Sequence, residues 1–272
     1  MSDNDRSSLF QSRSVPENYR RYLHPAVFAP WADRLVEVAS LEAGQTVLDV
    51  ASGTGAVARA AARAVGPEGR VIASDVSPGM LEQLVEEPEA GAAPIETLVS
   101  PATELALPAG SVDVVLCQQG LQFVRDKVTA VAEMRRVVRP GGQILVAVWI
   151  ADERLEPFDS YGESLRREAI DEPFPHAWDS NSFKMSADRL REVFDAAGAG
   201  PVEITSDSRD SVWPAPDAAA NGILGTPYGL AFAGLDDIAR RHARDALVAR
   251  FTEPDGSPRP LRASVLFARA RM

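Results

Sequence analysis

The run Val47-Leu48-Asp49-Val50-Ala51-Ser52-Gly53-Thr54-Gly55-Ala56-Val57-Ala58 constrains this chain more than any other segment. An apolar stretch ends in an acid, opens into a small-residue turn with two glycines, and continues as a helix. Such a turn lets a ligand lie almost against the backbone, because glycine has no Cβ to hold it away. The helix behind it offers free N–H groups and a positive dipole end. The implied tenant is a nucleotide-like cofactor. Gly53-Thr54-Gly55-Ala56-Val57-Ala58 fits the loose dinucleotide pattern G-x-G-x-x-A, with Asp75 about 20 residues on. Taken alone, that match has little specificity.

Asp49 favours a different cofactor. A carboxylate inside the strand end would crowd a pyrophosphate, but it suits a ligand with a cationic amino acid end and a sulfonium, as in S-adenosylmethionine (SAM). Further motifs follow in order: Asp75-Val76-Ser77-Pro78-Gly79-Met80-Leu81, Ser111-Val112-Asp113-Val114-Val115 and Arg139-Pro140-Gly141-Gly142. With these motifs, spread over roughly residues 45–150, the chain resembles the class I SAM-dependent methyltransferases. The resemblance implies an α/β fold: a Rossmann-like doubly wound seven-stranded sheet, mostly parallel with an antiparallel last strand, an N-terminal helical lid and helical cap insertions. It implies SAM as cofactor and methyl transfer to a small organic acceptor. Two alternatives stay open: a SAM-binding protein without methyl transfer, cyclase-like or regulatory, and a nicotinamide-dependent oxidoreductase.

The pattern along the chain leads to the same architecture. Strands are expected at 46–51, 70–75, 95–99, 112–118 and 143–149, alternating with helices at 55–65, from Ser77-Pro78, and at 126–138. Alternation of this kind gives a parallel sheet whose strand carboxyl ends share one edge, where ligands bind. Asp49, Asp75, Pro101 and Gln118 all fall at such ends. Residues 1–14 read as disordered. Residues 16–40 carry helical signals broken by Pro25 and Pro30. The later half should hold a helix at 187–197, strands at 201–211 and 262–271, and a helix at 238–251. Segments 151–182 and 214–260 read as insertions. Their aromatics Phe158, Tyr161, Phe174, Trp178, Tyr228 and Phe232 either enclose an apolar acceptor pocket or merely anchor the insertions. The whole is one domain: lid 1–45, cofactor core 46–150, and a capped C-terminal half 151–272, which the resemblance implies is closed by a strand hairpin.

Charge and composition narrow the partners. A net charge of −11 gives no general attraction for phosphate backbones, which argues against nucleic acid. Lys127 and Lys184 are the only lysines. Cys117 is the single cysteine, so no intrachain disulfide can form. The polar N-terminus does not resemble a signal peptide, and no apolar run approaches the ~20 residues that span a bilayer. A cytosolic protein without membrane association is expected. Oligomeric state is not legible. No cluster suggests a metal site.

The candidate cofactor residues are Asp49, Ala51, Ser52, Gly53, Gly55, Asp75, Val76, Met80, Ala102, Thr103, Gln118, Gln119 and Tyr22. Asp75, an acceptor-only carboxylate, suits a ribose diol, or is a helix N-terminal charge. Asp49 either orients the loop and stabilises the cofactor ammonium, or is a structural acid. Val76 and Met80 suit the flanks of an adenine. Related methyltransferases often carry an acid near the end of strand three for the adenine amino group. Pro101 stands there instead, leaving Ala102 and Thr103 as substitutes, with Glu104 as the other candidate or else a solvated charge. Gln119, Gln122 and Phe123 could meet either ligand, and Tyr19 and Tyr22 either form a lid or pack. No catalytic base is identified. His24 and His176 are the candidates, and each reads more simply as a surface or packing residue.

Overall fold

The computed structural model describes residues 14–84, 89–167, 183–226 and 228–272. Residues 1–13, His176, Phe174 and Trp178 lie outside the described residues, so the readings placed on them go no further.

Seven strands form one sheet in the order β3-β2-β1-β4-β5-β7-β6. They are β1 Thr46–Val50, β2 Arg70–Asp75, β3 Ile95–Val99, β4 Val112–Gln118, β5 Val138–Trp149, β6 Glu203–Ser211 and β7 Leu261–Arg271. The first five pair in parallel, while β7 runs antiparallel to both β5 and β6. Side chains alternate across a strand, and this alternation separates two cores. Val47, Val71, Val114, Leu116, Leu145 and Trp149 face the helices Ala29–Ala39 and Ala56–Val65 and the cap. Leu48, Ile72, Val115, Cys117, Ile144 and Val146 face the helices Lys127–Val137 and Ala187–Ala196. Strands buried on both faces read as the near-continuous apolar runs seen in the sequence.

Two of the sequence motifs do structural work away from any ligand. The Asp113 carboxylate accepts from the Thr46 amide at 2.6 Å and pairs with Arg139 at 2.5 Å. It thereby fixes β4 against the start of β1 and the start of β5, where the sequence pattern places a turn at Pro140-Gly141-Gly142. Helix starts follow ordinary capping: Asp126 accepts from the Thr129 amide, Ser186 from Arg189, and Asp236 from Ile238 and Ala239.

Pro25 and Pro30 do not break the N-terminal segment. Ser14–Asn18, Tyr19–Phe28 and Ala29–Ala39 follow one another as helix, and Tyr19–Phe28 is a π-helix containing Pro25. The wider i→i+5 turn eases the clash between a proline ring and the carbonyl four residues back. Pro30 sits in the first turn of Ala29–Ala39, where its missing N–H costs little.

The β6–β7 hairpin is interrupted by a helical cap: Pro216–Asn221, a 3-10 turn Gly222–Gly225, Tyr228–Gly234 and Asp237–Arg250. Helix Phe158–Arg167, which follows β5, joins it. The Tyr161 hydroxyl donates to Ala219 O at 2.5 Å, and the Ser164 hydroxyl to Ala243 O at 2.9 Å. The cap also meets the N-terminal segment. A Cβ on Gly225 would stand 2.7 Å from the Tyr19 backbone nitrogen, so only glycine lets the two backbones approach this closely.

Candidate cofactor and acceptor site

A cavity of about 430 Å³ runs along the carboxyl edge of the sheet. Its lining follows the strand order. Ser100 to Thr103 stand beyond β3, Asp75 to Ser77 at β2, Asp49 and Ala51 to Thr54 at β1, Gln118 to Gly120 at β4, and Trp149 at β5. Lid and cap residues Tyr19, Leu23, Phe28, Phe158, Phe183 and Tyr228 close it. The β1–β4 junction is where the strand order reverses, the place where open α/β sheets bind ligands.

The turn after β1 is built for close approach. Gly53 has φ +56°, and a Cβ there would meet no protein atom within 4 Å, only open space. Gly55 differs: it does not line the cavity, and a Cβ on it would collide with the Leu84 side chain. Its glycine serves the packing of helix Ala56–Val65. Asp75 ties the turn down, accepting from the Gly53 amide at 2.9 Å and the Ser77 amide at 2.8 Å. Burial pushes its carboxyl upward, against those two amide bonds.

Asp49 is 1% exposed and its Oδ2 has no hydrogen-bond partner. Burial first, with the Asp75 charge adding, raises its pKa to about 7. Ser52 Oγ and Gln118 Oε1 are likewise buried without partners, while Gln118 Nε2 donates to Phe28 O at 2.9 Å. Buried polar atoms left unpaired cost free energy unless a ligand or water satisfies them. Two buried carboxylates beside unpaired oxygens form an acceptor-rich pocket that suits a cationic ligand and repels a pyrophosphate. Backbone strain gathers at the same place, since Ala51 and Gln119 both hold positive φ, 56° and 47°.

The raised Asp49 pKa has a direct consequence. The folded state retains a proton that the unfolded chain, with a carboxyl near 3.8, gives up. Asp49 therefore contributes stability below about pH 3.8 that is lost as pH rises through about 7. Melting curves of ligand-free Asp49→Asn at pH 5 and pH 8 should show a smaller alkaline loss than wild type. Equal losses in both proteins would show that Asp49 is not the titrating group.

Tyr22 does not line the cavity; Tyr19 does. The π-helical turn exceeds the 3.6 residues of an α-helix, so positions 19, 23 and 28 share the cavity face. Tyr22 packs at the edge of the core under the Arg21 guanidinium. The Tyr19 hydroxyl is held well above its usual pKa by burial, then by the charges of Asp75 and Asp49. His24 is not a cavity residue either. Its Nδ1 is 2.8 Å from Thr54 Oγ1, pinning the lid to the glycine turn. Burial, with Arg20 and Arg59 nearby, lowers its pKa to about 4.

Val76, Met80, Ala102 and Thr103 line the β2–β3 end, whereas Glu104 is exposed outside it. Of the cap aromatics, Phe158 and Tyr228 face the cavity, while Tyr161 and Phe232 are core. Leu23, Phe28, Trp149, Phe183, Gly225 and Thr226 carried no functional signal in the sequence. Their positions come from packing of distant segments. Among the described residues, no group of three or more His, Cys, Asp or Glu is placed to hold a metal. None of the described helices is long and apolar enough to cross a membrane.

A family model described as a methyltransferase domain matches residues 47–142. The ubiquinone/menaquinone biosynthesis C-methyltransferase UbiE of Ralstonia pickettii is 31% identical over 183 residues, 64% of this chain and 74% of that protein. The chain belongs to the class I SAM-dependent methyltransferases. It spans only about half the length of the other UbiE relatives, 46–47%, through a shared segment of 120 residues. Among solved structures, a protein described as a methyltransferase of an antibiotic biosynthesis pathway from Anabaena variabilis has a TM-score of 0.63 at 18% identity. That likeness covers 88% of this chain and 96% of that one. The [4+2]-cyclase SpnF has a TM-score of 0.52 at 17% identity, covering 89% and 80%. At such identities the likeness concerns the fold, and a fold does not fix chemistry.

Proposed function

We propose that this methyltransferase-family chain transfers the methyl group of SAM to a small organic acceptor held beneath the lid and cap. The observation that carries the reading is the division of one cavity. Its β1–β3 end is polar and acidic, and its β4–β5 end is walled by aromatic rings. SAM, when bound, supplies an activated methyl group on a sulfonium sulfur for in-line displacement by the acceptor. The chain's own residues do the holding. Asp75 is suited to take the ribose diol, because each carboxylate oxygen keeps acceptor capacity beside its one backbone amide. Asp49, Ser52 and Gln118 offer their unpaired oxygens to the cationic amino acid end. Val76 and Met80 flank the adenine space, and Ala102 and Thr103 close it where Pro101 replaces the expected acid.

Rate enhancement then comes from alignment and exclusion of water. Lid residues Tyr19, Leu23 and Phe28 and cap residues Tyr228 and Phe183 cover the strand edge, so the reacting atoms meet in a dry space. His24 and the core-facing side of the lid supply no base there.

Calorimetry should show binding of SAM and of its demethylated product S-adenosylhomocysteine (SAH), and none of NAD(H). Incubation with methyl-labelled SAM and a panel of small hydroxyl-, amino- and carbon-nucleophile acceptors should then move label into an organic product. SAM binding with no label transfer would support a cyclase-like or regulatory role. NAD(H) binding without SAM binding would defeat the reading altogether.

A further inference from the structure

The acceptor end of the cavity is specific enough to name a ligand class. Six cavity-lining rings form an unbroken arc from lid to cap. Tyr19 stacks on Phe28 at 4.8 Å, Phe28 lies 6.3 Å from Trp149, and Trp149 lies 6.3 Å from Phe158. Phe158 lies 6.2 Å from Phe183, which stacks on Phe123 at 5.5 Å. Arcs of ring faces and edges match flat aromatic ligands, which stack or pack edge-on against them. One side chain beside this arc is polar and unsatisfied. Gln119 lines the cavity, is 5% exposed, and neither its Nε2 nor its Oε1 has a partner. Its backbone is fixed: the Gln119 backbone N–H donates to Ala147 O at 2.8 Å, two residues before Trp149. A carboxamide offers a donor at Nε2 and an acceptor at Oε1, and a hydroxyl group can pair with either.

Charge selects further. Among the described residues, no lysine or histidine lines the cavity to pair with an anion. Arg125 and Asp126 stand exposed at the rim with opposite charges, where water screens both.

We propose that the arc binds an uncharged, flat hydroxyaromatic acceptor and that Gln119 is the residue that selects its hydroxyl. This rests on the methyl-transfer reading, which supplies the cofactor at the other end of the cavity.

The probes are 5-hydroxyindole, its methyl ether 5-methoxyindole, and the anion indole-5-carboxylate, titrated into the SAH-saturated protein near neutral pH. Wild type should bind 5-hydroxyindole about 10-fold more tightly than either other compound, the scale of a buried hydrogen bond. Gln119→Met should abolish the preference for the hydroxyl over the ether while SAH affinity stays within about 3-fold. Phe123→Ala, at a half-exposed ring on the rim, should weaken all three probes several-fold without changing their order. Equal or tighter binding of the carboxylate overturns the proposal. So does Gln119→Met that weakens SAH and spares the hydroxyl preference, since Gln119 then serves the cofactor. Failure of wild type to bind SAH would instead defeat the methyl-transfer reading itself, whereas SAH binding without any binding of 5-hydroxyindole defeats only this one.

Discussion

Gly53→Val should lower SAH affinity by at least about 100-fold, equivalent to roughly 2.7 kcal/mol. The substituted side chain has nowhere to go except into the cavity, because a Cβ at Gly53 meets no protein atom within 4 Å. It would occupy the space through which a ligand reaches the turn. A second cost is conformational. At φ +56° a β-branched residue is strained by about 1–3 kcal/mol. The variant should therefore still fold, with a modestly lowered melting temperature. Calorimetry with SAH, beside a thermal melt, separates the two effects. A folded variant with wild-type affinity would place the cofactor elsewhere in the molecule.

Asp75→Ala should weaken SAH by roughly 10- to 100-fold, since hydrogen bonds to a charged group are worth about 1.5–3 kcal/mol. Affinity alone cannot assign the cause, because Asp75 also holds the Gly53 and Ser77 amides. A ligand pair resolves it. Wild type should prefer adenosine to 2′,3′-dideoxyadenosine, and Asp75→Ala should lose that preference. If the preference survives the substitution, Asp75 only braces the turn and the diol is read by another group.

Both substitutions probe residues that the sequence already singled out, and the reason is local. Gly53 and Asp75 sit at the ends of apolar runs whose length and alternation with helices define β1 and β2. The carboxyl edge of a parallel sheet follows from that alternation. The same reasoning located β3, β4, the two C-terminal strands and the helix Asp237–Arg250 to within a residue or two, while the pairing of those strands as a hairpin came from the family resemblance. It failed at Pro25 and Pro30. Proline rules describe the α-helix, and the π-helical turn that accommodates Pro25 has no period that a single sequence displays.

That failure carried through to the site. An α-helical face does not distinguish Tyr19 from Tyr22, and the π-helix puts Tyr19, with Leu23 and Phe28, over the cavity. Gly55 does not line the cavity, and its φ of +83° and the Leu84 side chain, nearly 30 residues away in the chain, hold that position to glycine. His24, which reads more simply as a packing residue than as a base, bridges lid and turn through Thr54.

The sequence by itself determined the sheet, its parallel strands, the acidic residues at the β1–β2 end of the cavity and the family, because each is encoded in short runs of adjacent residues. Tertiary structure alone decided the aromatic end of the cavity. Trp149, Phe158, Phe183 and Tyr228 come from β5, two cap segments and the stretch between them, and converge on Phe28 from the lid. In the chain they are indistinguishable from core aromatics such as Tyr161 and Phe232. Whether an aromatic ring faces a cavity or a neighbouring helix depends on how distant segments pack, and no local pattern records that choice.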